Sequence, residues 1–262
     1  MGAGITFKNL TIGYRSKHQL RAVASSIHAS LQEDKLTCLI GANGVGKSTL
    51  LRTLSGFQPP LDGEILIQDK PLSDYSAREL AQEIGVVLTN RMDTPQLSVQ
   101  EIVGIGRSPY TGFWGTLSSA DKKIVDEAIR QTGIQHLASR SITELSDGER
   151  QKVMIAKALA QQTSLIILDE PTAFLDFPSK VETLQMLRRL AHDQHKSILL
   201  STHDVELALQ IADQLWLMEA NRLSIGIPKD LAANGSLSRF IDRDGIRFDV
   251  EKMRVELSST LS

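Results

Sequence analysis

A lysine, two hydroxyls, two adjacent acids and a histidine stand in surroundings that suit phosphate chemistry. "GANGVGKS", residues 41–48, matches a glycine-rich turn followed by lysine and serine. In such a turn Gly41, Ala42, Asn43, Gly44, Val45 and Gly46 would fold their backbone N–H groups around phosphate oxygens. Lys47 would reach the β and γ phosphates, the Ser48 hydroxyl would ligate Mg²⁺, and Thr49 offers a further phosphate contact. Four apolar residues lead into Asp169 and Glu170 in "LIILDEPT". A carboxylate at that place, Asp169, suits Mg²⁺ directly or through water, and Glu170 could then polarise an attacking water. His203 ends another apolar run, "LLSTHD". A strand-end histidine is commonly structural, but at the C-terminal edge of a parallel sheet it projects into the ligand crevice and could donate to a γ-phosphate. "LSDGER", residues 145–150, places Glu149 three residues after Ser146, the capping box that starts the helix "ERQKVMIAKALAQ". Taken alone, that box does no more than cap.

These groups need elements to hold them. "KLTCLI" is short and continuously apolar, like a strand buried on both faces, and it runs directly into the glycine turn. "LLRTLSGF" comes next with helical spacing and stops near Gly56 and the pair Pro59–Pro60. "ITFKNLTI", "HQLRAVASSIHASL" and "DGEILIQDK" read as a β-rich start. From about residue 90 to 160 strand-like runs fade, and "SSADKKIVDEAIRQTG" and "ERQKVMIAKALAQQ" carry helical spacing, so a helical insertion is expected. Strands return with "SLIILDE", "SILLSTHD" and "QLWLMEA", separated by helices such as "SKVETLQMLRRLAHD". Apolar strands alternating with amphipathic helices predict an α/β fold whose parallel sheet is covered on both faces. The tail from about residue 228 is polar and mixed and points to no role.

With 262 residues the chain makes one domain, or one with a subdomain. A formal net charge of -2 gives no electrostatic reason to expect nucleic acid. The single cysteine, Cys38, cannot form an internal disulfide, which points to a reducing compartment, and it reads as a small buried hydrophobe. "MGAGITFKNL" has neither the basic nor the apolar part of a secretion signal. Gly2 and Thr6 formally match a myristoylation pattern, yet Thr6 already belongs to a strand alternation. No apolar run approaches the ~18–20 residues of a membrane span. If the protein works at a membrane, something else crosses it.

In the order "GANGVGKST", "LSDGE", "LIILDEPT", "FLD", "STHD", the chain resembles the ATPase subunit of an ABC transporter over roughly residues 4–228. The "LSDGE" signature separates that family from other P-loop proteins. The resemblance implies a P-loop α/β core with a mainly parallel sheet, an N-terminal antiparallel β-subdomain and an inserted α-helical subdomain. It implies an ABC ATPase domain over 1–228, with the helical subdomain at about 90–160, and a short extension over 229–262. It also implies ATP and Mg²⁺, with two copies paired head to tail. Each ATP would then lie between the P-loop of one copy and residues 146–149 of the other. Ser146, the Gly148 N–H and the helix dipole would point at a γ-phosphate. Asp147 stands where the family more often has glycine, so its carboxylate must turn away or be offset. Tyr14 in "TIGY" would stack on adenine, the alternative being a strand-end tyrosine in the core. Asp176 in "TAFLD" would lie in the loop that links the two nucleotide sites, the alternative being an ordinary turn aspartate.

One departure concerns metal and coupling. The family usually has a glutamine after the strand that reads "IGVVLT" here, and Thr89 holds that position; no glutamine lies between Glu83 and Pro95. Either the Thr89 hydroxyl takes the Mg²⁺ role, or Asn90 reaches in through water, or the loop makes no metal contact. "EIVGIGRSPYTGFWG", residues 101–115, suits a surface that receives a partner helix through its aromatics, its glycines, Arg107 and Pro109, or else is a helix end followed by a loop. The run resembles ATPases of bacterial importers for ferric siderophores, haem and cobalamin. Polytopic permease subunits, a substrate-binding protein on the far side and the cytoplasmic face of the bacterial inner membrane are implied by that resemblance. An ABC exporter ATPase would share every catalytic motif, and a soluble ABC ATPase acting on DNA or ribosomes usually has two cassettes or long coiled coils.

Overall fold

The computed structural model describes residues 3–15, 19–88, 97–112, 114–220 and 222–257. Its elements run β1 (Ala3–Arg15), β2 (Leu20–Gln32), β3 (Leu36–Gly41), α1 (Lys47–Leu54), β4 (Asp62–Ile67), β5 (Lys70–Pro71), α2 (Ala77–Glu83) and β6 (Ile84–Val87). Three helices come next, α3 (Val99–Ile105), α4 (Ser119–Gln131) and α5 (Asp147–Ala160). Strands and helices then alternate as β7 (Leu165–Leu168), α6 (Phe177–Asp193), β8 (Ser197–Thr202), α7 (Val205–Ile211), β9 (Gln214–Glu219) and β10 (Arg222–Gly226). The last described elements are α8 (Pro228–Ala233), α9 (Ser236–Ile241) and the hairpin β11 (Ile246–Asp249) to β12 (Arg254–Leu257).

The continuous apolar runs become the middle of a six-stranded sheet in the order β10-β9-β3-β8-β7-β6, parallel except for β10. Successive side chains of a strand point to opposite faces, so such a run must be buried twice. Cys38, Ile40, Ile166, Leu168, Ile198 and Leu200 enter one buried cluster, shared with α3–α6. Leu39, Ile167, Leu199, Trp216 and Met218 enter another. On that second face lies the antiparallel sheet β2-β1-β4-β5, with α1 beneath it. Phe7 of β1 meets Trp216 edge-on, ring centroids 5.6 Å apart. One cover of the parallel sheet is therefore a second sheet. β2 is the outer strand of that cover, which explains its mixed composition: Ala24, Ile27 and Leu31 are buried while most of the strand faces solvent.

The described part of the insertion between β6 and β7 carries the helices α3, α4 and α5, joined by turns. α2, α3, α4 and α5 each begin with a complete capping box, at Ser76, Ser98, Ser118 and Ser146. The polar tail folds: Leu231, Leu237, Ile241 and Phe248 join the larger buried cluster. Packing is thus continuous across residue 228. Cys38 is fully buried, and burial pushes its thiol pKa far up. No helix among the described residues is long and apolar enough to cross a membrane.

Candidate active site

β3, β8 and β7 lie side by side, so the segments just beyond their C-terminal ends are brought together. After β3, Gly44 and Gly46 take left-handed backbone at φ +77 and +114, where a side chain is strained. At Gly46 an added Cβ would lie 2.4 Å from Val23 Cγ1. Ala42, Asn43 and Gly44 are exposed, and α1 starts at once with Lys47.

Lys47 is only 5% exposed. Its Nζ donates to Gly41 O at 2.9 Å and Ala42 O at 3.3 Å and lies 3.4 Å from His203 Nδ1. Burial holds its pKa below the usual lysine range, while Glu170 and Asp169 pull it upward. Ser48 Oγ donates to Asp169 Oδ1 at 3.1 Å. Asp169 is itself buried, and its N–H extends the pairing of β7 with β6 by donating to Val87 O at 2.8 Å. Glu170 sits in left-handed backbone, φ +49, an uncommon place for a non-glycine residue. Its Oε1 meets His203 Nε2.

Ser201 holds the two acids in place. Its hydroxyl donates to Asp169 Oδ1 at 2.7 Å and accepts from Glu170 N at 2.9 Å. A hydroxyl inside the apolar run "SILLST" is its sequence signal, reasoning from motifs misses it, and the structure buries it fully.

Lys47, Ser48, Asp169, Glu170 and His203 are therefore one hydrogen-bonded group. Thr49 has a different contact: its Oγ1 shares a hydrogen bond of 2.8 Å with Tyr14 OH. The Tyr14 ring, 53% exposed, lies at the surface and not in the core. Thr89 and Asn90 lie outside the described residues.

Residues 146–149 form a separate place. Ser146 Oγ accepts from Glu149 N at 3.3 Å, and Glu149 Oε2 accepts from Ser146 N at 2.9 Å and from Ser146 Oγ at 2.8 Å. These bonds hold the Glu149 carboxyl below the usual carboxylate range. All stay within the cap of α5, and none reaches residues 41–49. Asp147 is offset by Arg150, whose Nη1 is 3.5 Å from its Oδ1. A Cβ added to Gly148 would find its nearest neighbour, Ser179 Oγ, at an ordinary 3.6 Å. Asp176 caps α6 by accepting from Ser179 N at 3.1 Å, and Ser179 is the residue nearest a Cβ placed at Gly148.

The stretch 101–115 differs from its expected exposure at Arg107. That side chain is 5% exposed, because Nε donates to Asp121 Oδ1 and Nη1 to Ala160 O and Gln162 Oε1, each at 2.9 Å. Arg107 thus ties the end of α3 to α4 and α5. Its neighbours Ile105, Gly106, Ser108 and Pro109 instead form one wall of a groove of about 960 Å³. The segment after α1, the helix α2, parts of β4 and β6, and the end of α5 at Lys157 and Gln161 complete its lining.

A family model described as ABC transporter matches residues 24–173. An uncharacterized ABC transporter ATP-binding protein of Methanocaldococcus jannaschii is 38% identical over 90% of this chain and 80% of its own length. The ferric enterobactin transport ATP-binding protein FepC of Escherichia coli is 34% identical over 88% of this chain and 84% of its own. Among solved structures, the dimeric structure of a bacterial ABC transporter cassette superposes with a TM-score of 0.74 at 25% identity, over 85% of this chain and 98% of that one.

Proposed function

The chain belongs to the ABC transporter ATP-binding family, whose ATPases hydrolyse ATP to power transport, and we propose that it drives import of an iron-siderophore, haem or cobalamin-type substrate through a membrane permease. The likeness to FepC and the sequence of the stretch 101–115 support this cargo class. Two copies would pair head to tail on the cytoplasmic face of the bacterial inner membrane, beneath polytopic permease subunits served by a substrate-binding protein. Nucleic acid has no part in this reading.

One observation carries the dimer. The signature cap at Ser146 satisfies itself and makes no hydrogen bond to the P-loop of its own chain. Among the described residues none comes nearer to a Cβ at Gly148 than an ordinary 3.6 Å, so a second copy's phosphate is a reason for that bare backbone.

Within one pocket the geometry suggests the roles. The N–H groups of residues 41–46 and the start of α1 bind phosphate oxygens, and Lys47 adds a fixed positive charge. Tyr14 offers its exposed ring to the base. The partner's α5 supplies Ser146 and its dipole, and Asp176 follows Leu175, which packs near Gly148 at that start.

Mg²⁺ typically takes only one or two protein carboxylates plus phosphates and waters, and the donors present fit that habit. Ser48 and Asp169, hydrogen-bonded at 3.1 Å, would hold it, and Thr89 remains a candidate donor. Among the described residues no cluster of three His, Cys, Asp or Glu makes a larger cage. When bound, the ion would supply neutralisation of phosphate charge.

Glu170 orients the attacking water and takes its proton on a carboxylate oxygen. Ser201 fixes the Glu170 backbone, and His203, beside both Glu170 and Lys47, can donate to the γ-phosphate. The groove beside Pro109 would receive a helix of the permease.

Recovery from detergent-solubilised membranes tests the reading. A polytopic membrane protein that comes down with the chain supports transport; nucleic acid, or no membrane protein, overturns it.

A further inference from the structure

Among the described residues, the groove beside Pro109 is lined by one cation, Lys157, and gives it no ion-pair partner. Lys157 on α5 and Gln161, the residue that ends that helix one turn later, both line it, among apolar neighbours that include Leu72, Leu80 and Ile105. Gln161 is satisfied: its amide donates to Ile84 O at 2.9 Å and to Ala81 O, and its backbone carbonyl accepts from Tyr110 OH at 3.0 Å. Lys157 differs. Among the described residues no hydrogen bond, ion pair or ring contact engages its ammonium. Burial alone lowers its pKa, with no acid contributing. Glu64, the one acid among the lining residues, is exposed and unpaired with it.

A lysine can lay its stem on apolar surface at little cost, provided the charge keeps water or meets an anion. The carbonyl end of α5 offers only a partial negative charge to this last-turn residue. A purely apolar occupant of the groove would finish the desolvation and strand the charge. An occupant that brings an anion of its own avoids that cost.

Resting on the transport reading, we propose that the permease helix seated in this groove carries an aspartate or glutamate side chain and that this carboxylate pairs with Lys157. The pair sets the register of the docked helix and rejects helices that lack the acid. It also pulls on the right element. Lys157 stands on α5, the helix that Ser146 caps, roughly 15 Å along its axis. At Gly106 an added Cβ would lie only 2.2 Å from Lys157 O, so α3 and α5 touch backbone to backbone there.

The test is made on the complex in membranes, treated with a water-soluble carbodiimide, which joins a lysine amine to a touching carboxylate as an amide. A cross-linked peptide between Lys157 and an acid of the membrane subunit is expected. With Lys157→Arg the complex should persist while that cross-link disappears. Lys157→Glu should weaken association about thirtyfold or more, leaving ATP turnover of the isolated protein within about twofold. An intact complex with no cross-link at Lys157, a cross-link to an acid of this same chain, or undiminished binding by Lys157→Glu each overturns the pairing. If the unaltered protein captures no membrane subunit at all, the transport reading itself fails, and this partner with it.

Discussion

The start of α1 and the start of α5 both offer backbone N–H groups and a positive helix end, yet the chain builds them differently. At α1 the loop uses two left-handed glycines, and Lys47 and Ser48 are wired into Asp169, Ser201, Glu170 and His203. At α5 the cap is solvent-facing, Ser146 and Glu149 bond to each other, and Asp147 is offset by Arg150 next door. The first place is assembled from three neighbouring strands whose ends lock its polar side chains to one another. The second lies at the surface, with Ser146 and Asp147 exposed. A helix N-terminus alone does not distinguish the two; what lies behind it does.

The largest effect comes from breaking each region in a different copy. Lys47→Ala and Ser146→Arg should each abolish ATP turnover alone. In a head-to-tail pair, mixing them leaves one pocket wholly intact, so turnover should return to roughly a quarter of normal with independent pockets. No recovery in a steady-state phosphate-release assay would mean that the two regions never meet across copies.

Glu170→Gln should slow hydrolysis by about 10²–10⁴, some 3–5.5 kcal/mol, while ATP binding survives. Gel filtration with ATP should then show a dimer; only monomer, or near-normal turnover, would remove Glu170 from its role.

Ser201→Ala cuts the wiring behind the first region. It should cost about 1–3 kcal/mol in denaturant unfolding, and turnover should fall on the order of tenfold with little change in KM for ATP. Unchanged turnover would show that the two acids hold their places without it.

The smallest effect belongs to Glu149→Gln. The Glu149 pKa is lowered in the folded state, so its contribution is complete above the ordinary value of 4.5 and is lost as pH falls through the lower folded value. The variant should lose about 0.5 kcal/mol at neutral pH and nothing in acid, read by thermal melting at each pH. A loss that persists in acid would point to packing at this cap and not to the carboxylate's charge.

Central strands are legible because burial on both faces leaves uninterrupted apolar runs, and the P-loop because its glycines and lysine directly succeed such a run. α7, α8 and α9 are six or seven residues long, too short for a 3.6-residue period to declare itself. The capping boxes at Ser76, Ser98 and Ser118 carry the same spacing as the one at Ser146, but only the last begins a familiar motif. Arg107 reads as a surface residue because arginines mostly are. Its acceptors lie 14 to 55 residues away, so only the tertiary fold reveals its burial. Ser201 escapes notice for the related reason that its worth depends on two neighbours on another strand's end.

Cys38 has a practical use that comes from its place in β3. Closed in on both sides of the sheet and held as a thiol, it should ignore maleimides and disulfide reagents in the native protein. The molecule is then a natural blank for thiol labelling. A single cysteine at an exposed position such as Phe177 could carry a spin label or fluorophore without any background to remove, and the spacing between two copies could be followed as ATP is added.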